Sequence, residues 1–329
     1  MREYNFTGTN ISEITRARPT PRGHHLSKRA HDAIFIIAML AYPVAQFLLT
    51  WIFVNFGALA NAFNGAEQGF TFTFDNFGQI FRDLGNPYSD ASGFLGLNTA
   101  TIILLNSIGY CLITIFISLP LSLLFSYFLR KKMIGANVFR AIFFLPNIIP
   151  IVALAYAFRM SVTHEVGYMA WLFEAFGMDV ATGYPDSQIM VYIYCIWAGL
   201  GYNIILFSGA IGRIPKELFE SAELDHAGYF KEFVHVVIPC IWPTVVTLVV
   251  LGMTHVLTLY LQPMLLTSTE NVPTYTIAFK IFEDATTPGA SQQTLSRATA
   301  YGLFFSLIWA PIILLVRHFM SKKYEGIGY

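Results

Sequence analysis

The chain has 329 residues, 55% of them hydrophobic and only 12% charged, with a mean hydropathy of +0.55. Soluble domains carry about 25% charged residues, so this composition excludes an ordinary soluble enzyme and points to a chain built for lipid. The formal net charge of zero says nothing by itself about partners, and no nucleic acid is expected.

Residues 1–31 read as a basic cytoplasmic tail, whose His24-His25 pair is expected to be solvated rather than metal-binding. A spanning helix needs about 20 predominantly apolar residues. Six segments qualify: roughly 32–57, 99–129, 139–159, 188–212, 236–262 and 298–317. They are apolar on every face rather than along a stripe, which separates them from the helices of a soluble bundle. The expected fold is therefore an all-α integral membrane protein with six transmembrane helices. With the N-terminus inside, 16 of the 20 Lys and Arg fall on the cytoplasmic side, leaving Arg82, Arg159, Lys280 and Arg297 outside. Lys/Arg bias sets orientation, so both termini are expected in the cytoplasm. The first span is too long for the core of a cleaved signal and should remain as an anchor.

Between the spans, residues 58–98 form a long extracytoplasmic loop rich in Gly, Asn and Phe, which either meets a partner or covers the helix ends. In the next outer segment, Val166, Met169, Ala170, Phe173 and Phe176 recur at helical spacing, the pattern of a short amphipathic helix. Residues 263–297 read as a polar connection ending in the loop "TTPGASQQT". Pro43, Pro120, Pro146, Pro150, Gly199 and Gly201 are each expected to open or bend a span. At "WAGLGYN", Trp197 to Asn203, such a break borders either a substrate path or a close helix contact. Cys111, Cys195 and Cys240 lack paired spacing and read as small packing residues rather than a disulfide framework or metal site.

Residues 99–129, 141–158, 188–212 and 299–316 hold no Asp, Glu, Lys or Arg, and His255 is the one titratable group well inside a span, expected to be a packing residue rather than a relay. Ion-driven carriers usually need intramembrane carboxylates, so secondary transport is disfavoured. The sequence has no G-x-x-x-x-G-K-[ST] loop, G-x-S-x-G elbow or H-E-x-x-H helix. The interior favours a neutral, polar solute, with the energy source outside this chain.

The densest charge lies in "IPKELFESAELDHAGYFKEFVHVVIP", residues 214–239, on the expected cytoplasmic side. Pro215 suits a first helical position, and Glu217 in the first turn complements the macrodipole. The chain can turn around Asp225 to Gly228, start a second helix at Tyr229, and be interrupted at Pro239. Phe219, Ala222, Tyr229 and Phe230 among these charges suggest a docking element rather than a solvated loop.

This spacing resembles the EAA signature, EAA-x3-G-x9-I-x-LP, of ABC-importer permease subunits. Glu220-Ser221-Ala222 stand for EAA, Val236 for the Ile, and Ile238-Pro239 for LP. "FTFDNFGQIF", "VFRAIFFLPNIIPIVALAYAF", "IWAGLGYNIILFSGAIGRIPKEL" and "RATAYGLFFSLI" are similar in order to segments of the carbohydrate branch related to the maltose and glycerol-phosphate permeases. The resemblance implies a type I importer permease fold in the bacterial cytoplasmic membrane. Residues 99–317 would be the core, 214–239 the coupling element and 318–329 a cytoplasmic tail. It also implies an ABC ATPase dimer, a second permease subunit (a paralogue or a copy) and an extracytoplasmic solute-binding protein as partners. This chain would not be an enzyme and would bind no cofactor; ATP and Mg would sit on the partner ATPase.

The coupling residues so implied are Glu220, Ser221, Ala222, Asp225, His226 and Gly228. Glu220 would pair with a basic residue of the ATPase, and Ala222 would permit its close approach. His226 stands where the signature has Gly. Histidine is among the residues that tolerate left-handed backbone angles, so the corner either survives at 226 or moves to Gly228. For the solute path, Tyr194, Trp197, Tyr202, Asn203, Tyr260 and Gln262 supply aromatic faces and hydrogen-bonding groups. Asn203 leads them, because an amide inside lipid needs partners. The expected solute is a sugar or oligosaccharide. The alternatives are a glycerol-phosphate derivative or oligouronide, an ATP-independent secondary carrier, and an intramembrane enzyme.

Overall fold

The computed structural model describes residues 28–65, 69–85, 99–131, 135–163, 167–175, 188–267 and 274–322. Residues 1–27 and 323–329, Val166 and Phe176 lie outside this set, and His24-His25 with them. Among the described residues the elements are helices, apart from one isolated antiparallel bridge between Asn64 and Phe72. In chain order they are α1 (Lys28–Gln46), α2 (Phe53–Ala62), α3 (Asp75–Gly85), α4 (Thr99–Ile113), α5 (Leu119–Arg130), α6 (Ala136–Ile148), α7 (Ile151–Val162) and α8 (Ala170–Ala175). Then follow α9 (Gln188–Gly212), α10 (Lys216–Leu224), α11 (Tyr229–Glu232), α12 (Ile238–Cys240), α13 (Trp242–Thr258), α14 (Leu261–Leu266), α15 (Ile277–Thr286) and α16 (Gln292–Lys322). The chain divides into two units, Met1–Gly57 and Ala58–Tyr329. The second holds both candidate sites.

Four helical stretches are long and apolar enough to cross a membrane: Asp32–Ala62, Ala100–Arg130, Gln188–Gly212 and Gln292–Lys322. Two further candidates are bent pairs. The pair α6 and α7 turns through 106°, and Tyr229–Cys240 meets α13 at 76°. The six segments expected from hydropathy thus correspond to four unbroken helices and two broken ones. Of the expected breakers, Pro150 stands at a break and the α9 glycines do not. Gly199 and Gly201 sit inside an unbroken α9, whereas the chain opens at Ile149 and at the expected Pro150, where the backbone becomes extended. Gly201 allows a close crossing: a Cβ there would collide with the backbone of Phe143 on α6.

Pro120 and Pro239 do not open their helices either. Each follows a π-helical turn, Thr114–Ser118 and Phe233–Val237 respectively. Proline clashes with the carbonyl four residues back, and the wider turn accommodates that group. The second interruption therefore comes at Ile241 rather than Pro239.

The connection at 263–297 is more helical than its polarity suggested. It contains most of α14, all of α15 and the first turns of α16, and the loop is confined to 287–291, with Gly289 at φ 79°. Buried Thr276 caps α15 by accepting from Phe279 N–H, while its own hydroxyl donates to Leu259 O at 2.6 Å. In the outer segments, Ala170 and Phe173 of α8 are buried as their spacing predicted. The amphipathic α3 buries Ile80 in a cluster with Ala62 and Ala300.

The centre of the second unit is the α5–α9 seam. Ser118, Ser122 and Ser126 recur every fourth residue and are almost fully buried. Ser126 Oγ donates to Ile204 O at 3.0 Å, and Ser122 Oγ approaches Leu200 O at 3.4 Å. Small hydroxylated side chains let the backbones approach and satisfy those hydroxyls between helices. From this seam the chain runs one way into the charged hairpin and the other way to a cavity.

Candidate functional site

The hairpin consists of α10 and the return helix beginning at α11. Pro215 stands just outside α10, as its cap, rather than at the first helical position. At the other end His226 takes φ 51°, the only positive-φ residue other than glycine among those described. His226 N–H donates to Glu223 O at 3.0 Å and Ala227 N–H to Ala222 O at 2.9 Å. These are the paired bonds of a Schellman stop, in which a left-handed residue just past the helix satisfies its last carbonyls. The corner therefore stays at 226, and Gly228 keeps an ordinary φ of −64°. The His226 ring is exposed, with Nδ1 3.0 Å from Leu224 O.

The expected coupling residues separate into two faces. Glu220, Ser221, Asp225, His226 and Gly228 are exposed. Ala222 is buried within this chain, at 7% exposure. Phe219 also turns inward, beneath the Arg130 guanidinium 3.8 Å from its ring centroid. The exposed apolar groups at the tip are Leu224, Tyr229 and Phe230, at 79%, 67% and 79%. Glu217, Glu220, Glu223 and Asp225 of the same hairpin are exposed as well, as are Lys216 and Lys231.

The last turn of α5 and the residue after it hold the hairpin in place, which sequence reasoning missed. Lys131 Nζ lies 2.7 Å from Glu232 Oε2, and Glu232 is only 6% exposed. Tyr127 O–H donates to Tyr229 O at 3.1 Å. Arg130 Nη1 donates to Ile211 O at 2.9 Å, satisfying a carbonyl in the last turn of α9. In the sequence Arg130 and Lys131 registered only as inward-side charges.

At the other end of the α5–α9 seam lies a cavity of about 540 Å³. Tyr194, Cys195, Ala198, Gly199, Tyr202 and Asn203 line it as one stripe of α9. Opposite stand Thr114 and Ser118 of the π turn, Pro146 and Asn147 at the α6–α7 break, and His255, Thr258 and Gln262. None of these lining residues is Asp, Glu, Lys or Arg. Tyr194 is 1% exposed, and its hydroxyl has no hydrogen-bond partner among the described residues. Asn147 Nδ2 donates to Ala198 O at 3.1 Å, so the broken helix is tied to α9 beside the cavity.

Four of the six expected path residues, Tyr194, Tyr202, Asn203 and Gln262, therefore share one wall system. The other two do not reach it. Trp197 falls on the opposite side of the helical stripe and stacks on Phe158 with centroids 6.1 Å apart. Tyr260 is stacked on Phe282 at 4.8 Å. His255, expected to be a packing residue rather than a relay, also lines the cavity.

The family model for "Binding-protein-dependent transport system inner membrane component" matches residues 118–323, a range that includes the hairpin and most of the cavity. The probable ABC transporter permease protein YurN of Bacillus subtilis is 30% identical over 171 residues, covering 50% of this chain and 59% of YurN. The diacetylchitobiose uptake system permease protein NgcF of Streptomyces coelicolor is 24% identical over 325 residues, covering 92% of this chain and 88% of NgcF. Among solved structures, a chain of a bacterial alginate ABC transporter, in complex with an alginate pentasaccharide-bound periplasmic protein, superposes with a TM-score of 0.72. The two are 21% identical, over 90% of this chain and 97% of that one, a likeness of fold.

Proposed function

The chain belongs to the family of binding-protein-dependent transport system inner membrane components, and from that premise we propose that it forms half of the pathway of an ATP-driven importer for an uncharged sugar or oligosaccharide. The observation that carries the reading is the course of α9. One face of this helix lines a neutral polar cavity through Tyr194 and Asn203, and its end leads within four residues into the charged hairpin. In this account six segments cross the membrane with both termini in the cytoplasm, consistent with the distribution of Lys and Arg. A separate ATPase dimer, holding ATP and Mg, docks on the hairpin through Glu220, Leu224, Asp225 and Phe230. A second permease subunit completes the pathway, and an extracytoplasmic binding protein delivers the solute. The name of NgcF supports a saccharide, and the alginate complex supports a periplasmic partner.

An acidic oligosaccharide is the second reading, favoured by the alginate transporter as a fold neighbour. The cavity argues against it, because a polyanion stripped of water needs fixed positive charge and none lines this wall. Affinity purification followed by identification of the co-purifying chains tests the architecture: an ATPase and a second permease are expected. ATP hydrolysis by that complex, with its binding protein, is expected to rise with neutral saccharides. Stimulation by uronides alone would favour the second reading.

A further inference from the structure

We propose that the Lys131–Glu232 ion pair is the link by which movement of the hairpin is passed to α5 and so to the cavity. The inference rests on the importer reading above. The hairpin is joined to α9 through the backbone, but α5 is attached to it by side chains alone. Lys131 and Glu232 lie 101 residues apart in sequence and 2.7 Å apart in space. Two neutral or stacked contacts flank them: Tyr127 with the Tyr229 carbonyl, and Arg130 over Phe219.

The three contacts resist separation unequally. The Glu232 side chain is 7% exposed, so pulling Lys131 away leaves a carboxylate in a site with little water. That costs far more than breaking an exposed ion pair, which water and salt replace. Lys131 is itself 34% exposed, which softens the pair, and the Tyr127 hydroxyl and Arg130 guanidinium also act on the carboxylate. When the hairpin is displaced, the pair stays closed and the end of α5 follows. From there α5 is zipped to α9 by Ser122 and Ser126 and begins at the π turn whose Thr114 and Ser118 line the cavity. Single π turns inside α-helices are frequent at functional sites. The route from hairpin to cavity thus runs along a hydrogen-bonded seam to this π turn.

Lys131 and Glu232 act here as positioning residues, and the test must separate that role from simple stabilisation. The importer is reconstituted with its partner chains, and solute taken up per ATP hydrolysed is measured for wild type, Lys131→Glu, Glu232→Lys and the double exchange. The single reversals are expected to lower that ratio by about fivefold or more, the range of a typical coupling energy, while the complex continues to hydrolyse ATP. The double exchange is expected to recover most of the loss. If reversal prevents assembly, Lys131→Met, which keeps the stem and removes the charge, is expected to lower the ratio in the same direction. A merely structural pair would reduce the amount of complex and leave the ratio unchanged. An unchanged ratio, or a double exchange no better than the singles, overturns the proposal. A wild-type complex that shows no ATP-dependent uptake overturns the importer reading beneath it.

Discussion

The backbone of Gly201 lies directly on the Phe143 peptide: a Cβ at 201 would stand 2.7 Å from the Phe143 carbonyl carbon and 2.8 Å from Phe144 Cα. Backbone atoms inside a helix cannot step aside as a side-chain end can. Gly201→Ala must therefore push α6 away from α9 beside the cavity, at a cost of about 1–3 kcal/mol, the usual range for overpacking. A lower midpoint of thermal unfolding in detergent is expected. Gly209→Ala is the control, since a Cβ there meets nothing within 4 Å, and its midpoint should stay level or rise.

The corner of the hairpin gives a second prediction. Left-handed backbone costs a non-glycine residue about 1–2 kcal/mol, whereas glycine loses about 0.5–1 kcal/mol of extra chain entropy. The two nearly offset, so His226→Gly should leave co-purification of the ATPase intact. A β-branched residue fits positive φ poorly, and His226→Val should lower it. Loss of co-purification in His226→Gly would show that the imidazole itself makes the contact.

The long apolar helices were legible in the sequence because hydropathy depends only on local composition. The corner was half legible: the preference of His226 is also local, but the sequence left 226 and Gly228 both open until the backbone placed it at 226. The position of the breaks was not legible. Pro146, Pro150, Gly199 and Gly201 look alike as breakers, and only the crossing of Gly201 on Phe143 shows which of them serve packing. Nor could the sequence join Lys131 to Glu232, or turn Ala222 and Phe219 inward, since those outcomes depend on α5 meeting the hairpin. The cavity was half legible. Helical spacing puts Tyr194, Tyr202 and Asn203 on one face, but the same spacing also removes Trp197, and Tyr260 was lost to a stack on Phe282.

The tip of the hairpin supplies a third prediction. Leu224 and Phe230 are each 79% exposed, so replacing them disturbs little of this chain's own packing. Leu224→Asp and Phe230→Asp should leave the yield of the folded subunit unchanged. They should weaken ATPase binding by about tenfold or more, as expected for apolar anchors at the centre of an interface. A binding assay with the separately purified ATPase reads this directly. Undiminished affinity would place the docking surface elsewhere.

Tyr194 allows stability and function to be set against each other. Its buried hydroxyl lacks a partner among the described residues, and leaving such a group unpaired costs about 1–3 kcal/mol. Tyr194→Phe should therefore raise the thermal midpoint. If the hydroxyl is held open for the solute, the same change should raise the solute concentration needed for half-maximal uptake by about 2–10-fold. A rise in stability with unaltered uptake would leave the hydroxyl outside the path.

Uptake into sealed proteoliposomes tests the central claim most directly. The complete complex is reconstituted with ATP and Mg enclosed, the binding protein and a labelled neutral oligosaccharide are added outside, and the Glu220→Arg complex is run alongside. The account predicts accumulation that requires ATP, is indifferent to dissipation of ion gradients, and is largely lost in the variant. Uptake that continues without ATP and collapses with an ion gradient would contradict it.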